Sequence, residues 1–99
     1  MSSPSSDSIR AAIDILRRRW APAIIEALSE HSCRYLELQR RIPRLSQKVL
    51  TEHLRALERA GVVDRAFSAD HARVVYSLTS RGKELRAVIA ALREWAERG

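Results

Sequence analysis

The sequence has 99 residues, a length typical of one domain, and its 45% hydrophobic and 30% charged residues are typical of a soluble globular protein. The net charge of +6 favours a polyanionic partner. A single cysteine excludes an intramolecular disulfide. No apolar run approaches the roughly 18 residues of a membrane span, and no hydrophobic core of a signal peptide is present. We therefore expect a cytoplasmic protein without a membrane partner.

The beginning of the chain predicts a tail followed by a helix. Residues 1–7 are polar and uncharged before Asp7, so we expect a disordered tail, with a single domain over residues 8–99. Periodic apolar positions predict an amphipathic helix over residues 8–18, capped by Asp7. Its apolar stripe consists of Ile9, Ala12, Ile13 and Leu16. The three arginines at 17–19 either contact a phosphate or lie solvated at the helix end, and both interpretations stay open.

A second helix is predicted to begin at Trp20-Ala21-Pro22, because proline is favourable in a first helical turn. Its inward stripe consists of Trp20, Ile24, Ala27 and Leu28. Trp20 therefore lines an effector pocket or belongs to the core, and a large aromatic at helical spacing favours the core. The next stretch, residues 33–35, is predicted as a minor strand.

The lone cysteine, Cys33, allows two interpretations. A neighbouring cation such as Arg34 can lower the pKa of a thiol and make it reactive. Alternatively, Cys33 is a small packing residue at the joint between helix and strand. We expect the packing role.

Residues 35–60 have the pattern of a helix-turn-helix. A short helix over 36–42 ends at Pro43, which disfavours helical geometry in the residue before it. After a three-residue corner, a second helix over 46–60 carries Leu50, Leu54 and Leu57 on one face and polar side chains elsewhere. Ser46 is suited to cap its start and Gly61 to end it. We predict that this helix enters a DNA groove.

Two strand-like runs follow, at 62–67 and 73–78, joined by a turn-like stretch at 68–72. A hairpin directly after a recognition helix is the wing of a winged helix, so we assign residues 62–78 to a wing. Arg65 and Arg73 flank its loop and are expected to contact the sugar-phosphate backbone or a minor groove. The predicted fold class is therefore mainly α with a small β-hairpin wing.

A last helix is predicted over residues 80–97, capped by Thr79. Its apolar positions are Leu85, Val88, Ile89, Leu92 and Trp95. Eighteen residues span about 27 Å, which is long for a small three-helix core to cover. We therefore predict that a second copy of the chain covers the excess apolar face, making this a dimerisation helix.

Basic and polar side chains on these elements are the predicted DNA contacts. Between residues 34 and 59 the chain carries seven cationic and three anionic side chains, a concentration on the helix-turn-helix that favours nucleic acid. The predicted contacts are Arg34, Arg40, Ser46, Gln47, Lys48, Thr51, Arg55, Arg65, His71 and Arg73. We assign Gln47, Thr51 and Arg55 to base edges. We assign Arg40, Lys48 and Arg73 to phosphates or the minor groove.

The sequence offers no constellation for catalysis. The three histidines are scattered, and His31 with Cys33 provides two metal ligands without a second pair at zinc spacing. No glycine-rich phosphate-binding loop occurs in the sequence. No serine or cysteine belongs to a pattern that would provide a general base to activate it as a nucleophile. We therefore expect no enzymatic activity, no metal and no cofactor.

Several motifs, in this order, resemble the HxlR family of bacterial transcription regulators. They are Trp20, CRYLEL at 33–38, LSQKVLTEHL at 45–54, LERAGVVDR at 57–65, VYSLT at 75–79 and Gly82. The resemblance implies a winged-helix fold similar to that of MarR proteins. It also implies a homodimer, paired through its terminal helices on a pseudo-palindromic operator, which adds Ile9 and Ile13 to the dimer interface. Most members repress a neighbouring gene, and some activate.

Four departures from the family pattern stand out. Serine and aspartate occupy residues 5–8, where redox-sensing members carry a cysteine, so the thiol switch does not carry over. Arg18-Arg19 replaces a glycine-lysine pair, and Leu36 replaces a small capping residue. His71-Ala72 stands where the wing of the family has a proline, so the family's wing shape and wing contacts do not carry over directly to this chain.

The predicted function is thus that of a sequence-specific double-stranded DNA-binding regulator, most simply a repressor, acting as a homodimer with an unknown small-molecule effector as a further partner. The alternative is a winged-helix protein-interaction adaptor without sequence-specific DNA binding. RNA recognition is disfavoured because four of the five aromatic side chains fall on apolar stripes or strand positions rather than on exposed stacking positions, namely Trp20, Tyr35, Tyr76 and Trp95.

Overall fold

The computed structural model of the chain describes residues 4–70 and 72–99. Within these ranges it contains five helices and one three-stranded antiparallel sheet, a winged helix-turn-helix as predicted. The elements in chain order are α1 (Pro4–Leu16), α2 (Ala21–Glu30), β1 (Cys33–Arg34), α3 (Tyr35–Arg41), α4 (Gln47–Arg59), β2 (Val63–Ser68), β3 (Arg73–Leu78) and α5 (Ser80–Arg98).

The first helix begins earlier than expected. It starts at Pro4, so the prediction of a disordered segment up to residue 7 is wrong for residues 4–7. Proline fits the first turn of a helix because its missing N–H has no partner to lose there. Asp7 consequently lies in the first turn rather than at the cap, where its charge still suits the positive helix end. The helix also ends at Leu16, before the arginines at 17–19.

The helix-turn-helix forms where the sequence predicts it. The Ile42 N–H donates to Leu38 O at 3.2 Å and closes α3. At the start of α4 the Ser46 hydroxyl accepts from the Val49 N–H at 3.1 Å. Beyond its end, Gly61 takes a φ of +75°, a conformation that favours glycine. Both predicted caps of the recognition helix are confirmed.

The N-cap of α3 is Arg34 rather than Leu36, which lies inside the first turn of the helix. The guanidinium of Arg34 has no acceptor atom with which to cap the helix. Instead the Glu37 carboxylate accepts from the Arg34 backbone N–H at 3.0 Å and from Arg34 Nε at 3.0 Å. One backbone N–H at this helix end, that of Arg34, is therefore satisfied by a side chain of the helix itself.

The sheet has the strand order β1–β3–β2. The predicted minor strand is confirmed as β1, although Tyr35 already belongs to α3. Its Cys33 pairs with Tyr76 of β3, and β2 pairs with β3 from Val63 opposite Leu78 to the turn. Val63 and Leu78 are buried, so the face of the hairpin that they share lies on the core.

The core lies between α2, the two helices of the helix-turn-helix and the root of the wing. Its side chains with less than 2% exposure include Ile24, Ile25, Leu38, Leu50, Leu54, Leu57 and Val62. Trp20 packs against the edge of this core, in line with the interpretation favoured from its spacing.

The last helix contributes to the core with only part of its apolar stripe. Ile89 was assigned to the dimer interface, but it is 5% exposed and packs in the core of its own chain. Leu85 is partly buried against the same core. Val88, Leu92 and Trp95 remain exposed on the helix. None of the helices in the described residues is both long and apolar enough to cross a lipid bilayer.

Candidate nucleic-acid interface

The recognition helix α4 is held by its leucines and presents its polar side chains outward. Leu50, Leu54 and Leu57 are buried in the core. On the other side Gln47, Lys48, Glu52 and Arg55 are exposed, while Thr51 is half-buried. An open groove on this side is lined by Tyr35, Leu36, Gln47, Lys48, Thr51, Glu52 and Arg55. The first turn of α3 and the first two turns of α4 thus share one surface.

A hydrogen-bonded contact with Tyr35 joins the two helices beneath this surface. The Tyr35 hydroxyl donates to Gln47 O at 2.9 Å and lies 3.2 Å from Thr51 Oγ1. Because its single proton is used on the carbonyl, Thr51 must donate in the second contact, which leaves the Thr51 hydroxyl to act as an acceptor. Sequence reasoning placed Tyr35 on an apolar stripe and missed this role, since nothing local to α3 indicates a partner twelve residues away.

His53 holds the other side of the recognition helix. Its Nδ1 lies 2.9 Å from Val49 O, and the Trp20 backbone N–H donates to its Nε2 at 3.4 Å. These contacts require the tautomer in which Nδ1 carries the proton. The start of α2 is therefore tied to the middle of α4 by a histidine that the sequence did not single out.

Arg34 and Arg73 lie on the outer face of the sheet. Together with Ser32, Glu37 and Val75 they line one cleft. Hydrogen bonds from the Arg34 backbone N–H, and then from its side chain, lower the pKa of the Glu37 carboxyl. Glu37 is thus ionised at neutral pH and forms an ion pair with Arg34. Arg73 has no ion-pair partner among the described residues, so its charge is the one left unpaired in the cleft.

The strand register separates the two arginines that were predicted to flank the wing loop. Arg65 pairs with Tyr76 and Arg73 with Ser68, so they project from opposite faces of the hairpin. Arg65 shares its face with Phe67, an exposed aromatic that the sequence analysis did not consider. His71, also predicted to contact DNA, lies outside the described residues.

The remaining cations of the region divide into structural and free side chains. Arg41 donates to Ala27 O at 2.9 Å and pairs with Glu30, which raises the pKa of the guanidinium. Arg41 therefore stabilises the contact between α2 and α3. By contrast, Arg40 and Arg55 are exposed and form no ion pair within the described ranges.

Two of the three arginines after α1 also have partners within the chain. Arg17 Nε lies 3.5 Å from Asp14 Oδ1, and the Arg19 guanidinium lies 5.1 Å from the centre of the Trp20 ring. Across residues 4–70 and 72–99, no group of three or more His, Cys, Asp or Glu side chains is arranged to hold a metal ion.

Comparisons with known proteins agree with this architecture. The sequence model of the HxlR-like helix-turn-helix family matches residues 15–99. The uncharacterized HTH-type transcriptional regulator YvaP of Bacillus subtilis is 40% identical over 86 residues, which are 86% of this chain and 80% of YvaP.

Two solved structures are similar over nearly the whole chain. The reduced form of the transcriptional regulator YodB from B. subtilis is 34% identical, with a TM-score of 0.86, and the alignment covers 99% of this chain and 94% of YodB. A MarR-family regulator from Enterococcus faecalis is 30% identical, with a TM-score of 0.87, and the alignment covers 99% of this chain and 90% of that regulator. The chain therefore belongs to the HxlR-like helix-turn-helix family and is a transcriptional regulator with a helix-turn-helix DNA-binding domain.

Proposed function

We propose that the protein is a sequence-specific regulator that binds a pseudo-palindromic operator in double-stranded DNA as a homodimer and represses transcription. The observation that carries the proposal is the outward face of α4. Its Gln47, Lys48 and Arg55 side chains are exposed, while the helix beneath them is fixed by buried leucines and by Tyr35 and His53. A rigid helix with free amide and guanidinium groups is suited to contact base edges in a major groove.

The homodimer is supported by the apolar side chains that the single chain leaves uncovered on its terminal helices. Ile9 is 60% exposed and Ile13 52% on α1, and Trp95 is 70% exposed near the end of α5. A two-fold axis through these helices would bury the same patch on both copies. It would also present two recognition helices to DNA, so a symmetric pair of half-sites about one helical turn apart is expected.

Repression is the proposed outcome because a dimer bound in this way occupies two adjacent major grooves. Other proteins that need the same stretch of duplex are then excluded from it. The direct contacts assigned to base edges and phosphates belong to this same proposal.

A pocket between α1 and α5 is the proposed place for a small-molecule effector. Its volume is about 170 Å³, and it is lined by Ala12, Ile15, Val62, Arg81, Glu84, Leu85 and Val88. Engineered apolar cavities of roughly 150 Å³ hold benzene, so a compact, mainly apolar ligand matches this size. Val62 links the pocket to the recognition helix, since its N–H donates to Leu57 O at 3.0 Å.

The proposal is tested by selecting bound fragments from the source genome with the purified protein. The recovered fragment and a random duplex of equal length and composition are then titrated by fluorescence anisotropy. We expect binding at least a thousandfold tighter on the recovered fragment at physiological salt. Equal affinity for both duplexes, or no binding to either, would contradict the proposal and leave a protein-interaction adaptor as the function.

A further inference from the structure

Leu36 is an apolar side chain on a polar surface. It is 57% exposed, and it lines the same groove as the outward side chains of the recognition helix. An exposed leucine needs no explanation where it lies alone on a surface far from a site. Leu36, however, lies beside Gln47 and Thr51, two side chains that we assign to base edges.

The backbone position of Leu36 is fixed by the residues on either side of it, Tyr35 and Glu37. Tyr35 is anchored to α4 through its hydroxyl at 2.9 Å from Gln47 O. Glu37, on the other side, is held by its bonds to Arg34 at 3.0 Å. Because both flanking residues are bound in place at the first turn of α3, Leu36 reaches the groove with little freedom of its backbone.

The surface of Leu36 is also distinct from the surface proposed for dimerisation. The exposed apolar side chains of that surface lie on α1 and α5, whereas Leu36 lies between α3 and α4 in a groove that is otherwise lined by polar side chains. The two cations of this groove, Lys48 and Arg55, outnumber its one carboxylate, Glu52. A net positive charge fits a polyanion rather than a second copy of this basic chain.

We propose that Leu36 is a specificity-determining residue that contacts the C5-methyl group of a thymine in the major groove. This methyl is the apolar group that thymine presents there, and cytosine lacks it. Water is displaced from both apolar groups when they meet, so the contact favours thymine at one position of each half-site. The inference rests on the proposed function, since it requires that α4 enters the groove.

The test removes the methyl from the DNA rather than from the protein alone. Each thymine of the operator is replaced in turn by deoxyuridine, which keeps every hydrogen-bonding group. Wild type and Leu36→Ala are titrated on each duplex by anisotropy, with circular dichroism to show that the variant folds. We expect one uracil position per half-site that weakens wild-type binding about fourfold, the value of one buried methyl. At that position Leu36→Ala binds the thymine and uracil duplexes equally.

Lys48→Ala is the matched control on the same groove. It should weaken binding on every duplex and keep the uracil sensitivity of wild type. Two outcomes would contradict the inference about Leu36 in a protein that distinguishes the operator from random DNA. In the first, Leu36→Ala shows the same sensitivity to uracil as wild type. In the second, no uracil substitution weakens wild-type binding. If wild type does not distinguish the operator from random DNA, the proposed function fails first and the inference fails with it.

Discussion

At the scale of single residues, the hydroxyl of Tyr35 is the atom that connects α3 to the recognition helix. Tyr35→Phe removes the donor to Gln47 O and leaves the ring in place. We expect a loss of about 1 kcal/mol in unfolding free energy, typical of one hydrogen bond, and a severalfold loss of operator affinity because α4 is less well positioned. Urea denaturation and anisotropy measure the two effects.

Tyr76→Phe is the control for that variant, because the Tyr76 hydroxyl makes no hydrogen bond within the described residues. It should leave both quantities unchanged. Equal losses in the two variants would mean that the Tyr35 hydroxyl does not position the helix.

Cys33 is a packing residue in this structure. It is fully buried, with Sγ 3.5 Å from His31 O and 3.9 Å from Arg41 Nη1. Oxidants react with accessible thiolates, so we expect hydrogen peroxide not to release DNA from the wild-type protein. Cys33→Ser should bind the operator as wild type does. A loss of binding on oxidation that is absent in the serine variant would contradict this expectation.

Glu37 gives the protein a pH-dependent contribution to stability. Its pKa is lowered in the folded state by the Arg34 backbone N–H and side chain. A lowered pKa stabilises the fold above the unfolded value of about 4.3, and this contribution is lost as pH falls through the folded pKa. Wild type should therefore exceed Glu37→Gln in urea midpoint at pH 7, with the difference shrinking below about pH 4.

Glu52→Gln is the control in this series, because Glu52 forms no ion pair in the described part of the chain. Parallel midpoint curves for wild type and Glu37→Gln from pH 7 to pH 3 would show that the interaction with Arg34 contributes nothing.

At the scale of elements, the joint between the recognition helix and α5 depends on Gly82. A Cβ added there would lie 2.2 Å from Val62 O, a backbone atom that cannot easily move. Alanine in a helix normally stabilises it by about 1 kcal/mol over glycine, but here we expect Gly82→Ala to lose about 1–3 kcal/mol in unfolding free energy. Gly99→Ala, with no neighbour closer than 3.7 Å, is the control. A stabilised Gly82→Ala variant would show that the joint is looser than the structure indicates.

The sequence predicted an element well where residues at both of its ends have a strong preference for starting or ending a helix. Ser46 and Gly61 define α4 because capping and a left-handed glycine depend on neighbours within one turn. The start of α1 was misplaced because serines near a helix start are compatible with either a tail or a first turn. The opposite faces of Arg65 and Arg73 followed only from the strand register, which a loop of uncertain length does not fix.

The sequence predicted which side chains of α4 face outward, but not the hydrogen bonds that hold the helix in place. Helical spacing alone placed Gln47, Lys48 and Arg55 outward, where the structure also has them. The contacts of Tyr35 and His53 join residues 12 and 33 positions apart, so no local pattern contains them. Ile89 was misassigned for the same reason, since spacing cannot say which part of an apolar stripe its own core covers.

At the scale of the whole molecule, the uncovered faces of α1 and α5 predict a dimer. Leu92→Glu places a carboxylate within the exposed apolar stripe of α5, and burying it unpaired is expected to cost several kcal/mol. We expect monomers by light scattering and loss of operator binding. Ala90→Glu adds the same charge on the opposite side of the helix and should leave the dimer intact. A wild-type protein that is monomeric at tens of micromolar would contradict the dimer.

The proposed DNA contacts are of two kinds: base recognition by α4, and attachment to the sugar-phosphate backbone by Arg40, Lys48 and the wing. Arg55 is an exposed arginine on the groove side of the recognition helix, and Arg73 is an exposed arginine at the start of β3. Removing a base contact costs affinity on the operator and much less on random DNA, whereas removing a phosphate contact weakens both. Comparing the affinities of Arg55→Ala and Arg73→Ala for operator and random DNA over a series of salt concentrations therefore tests this division.

The decisive measurement is the anisotropy titration of Arg55→Ala and Arg73→Ala on operator and random DNA at several salt concentrations. Arg55→Ala should lose about 1–3 kcal/mol on the operator and little on random DNA. Arg73→Ala should weaken both duplexes and reduce the slope of log K against log salt by about 1. If Arg55→Ala weakens both duplexes equally, α4 does not recognise sequence through Arg55, and the central claim is contradicted.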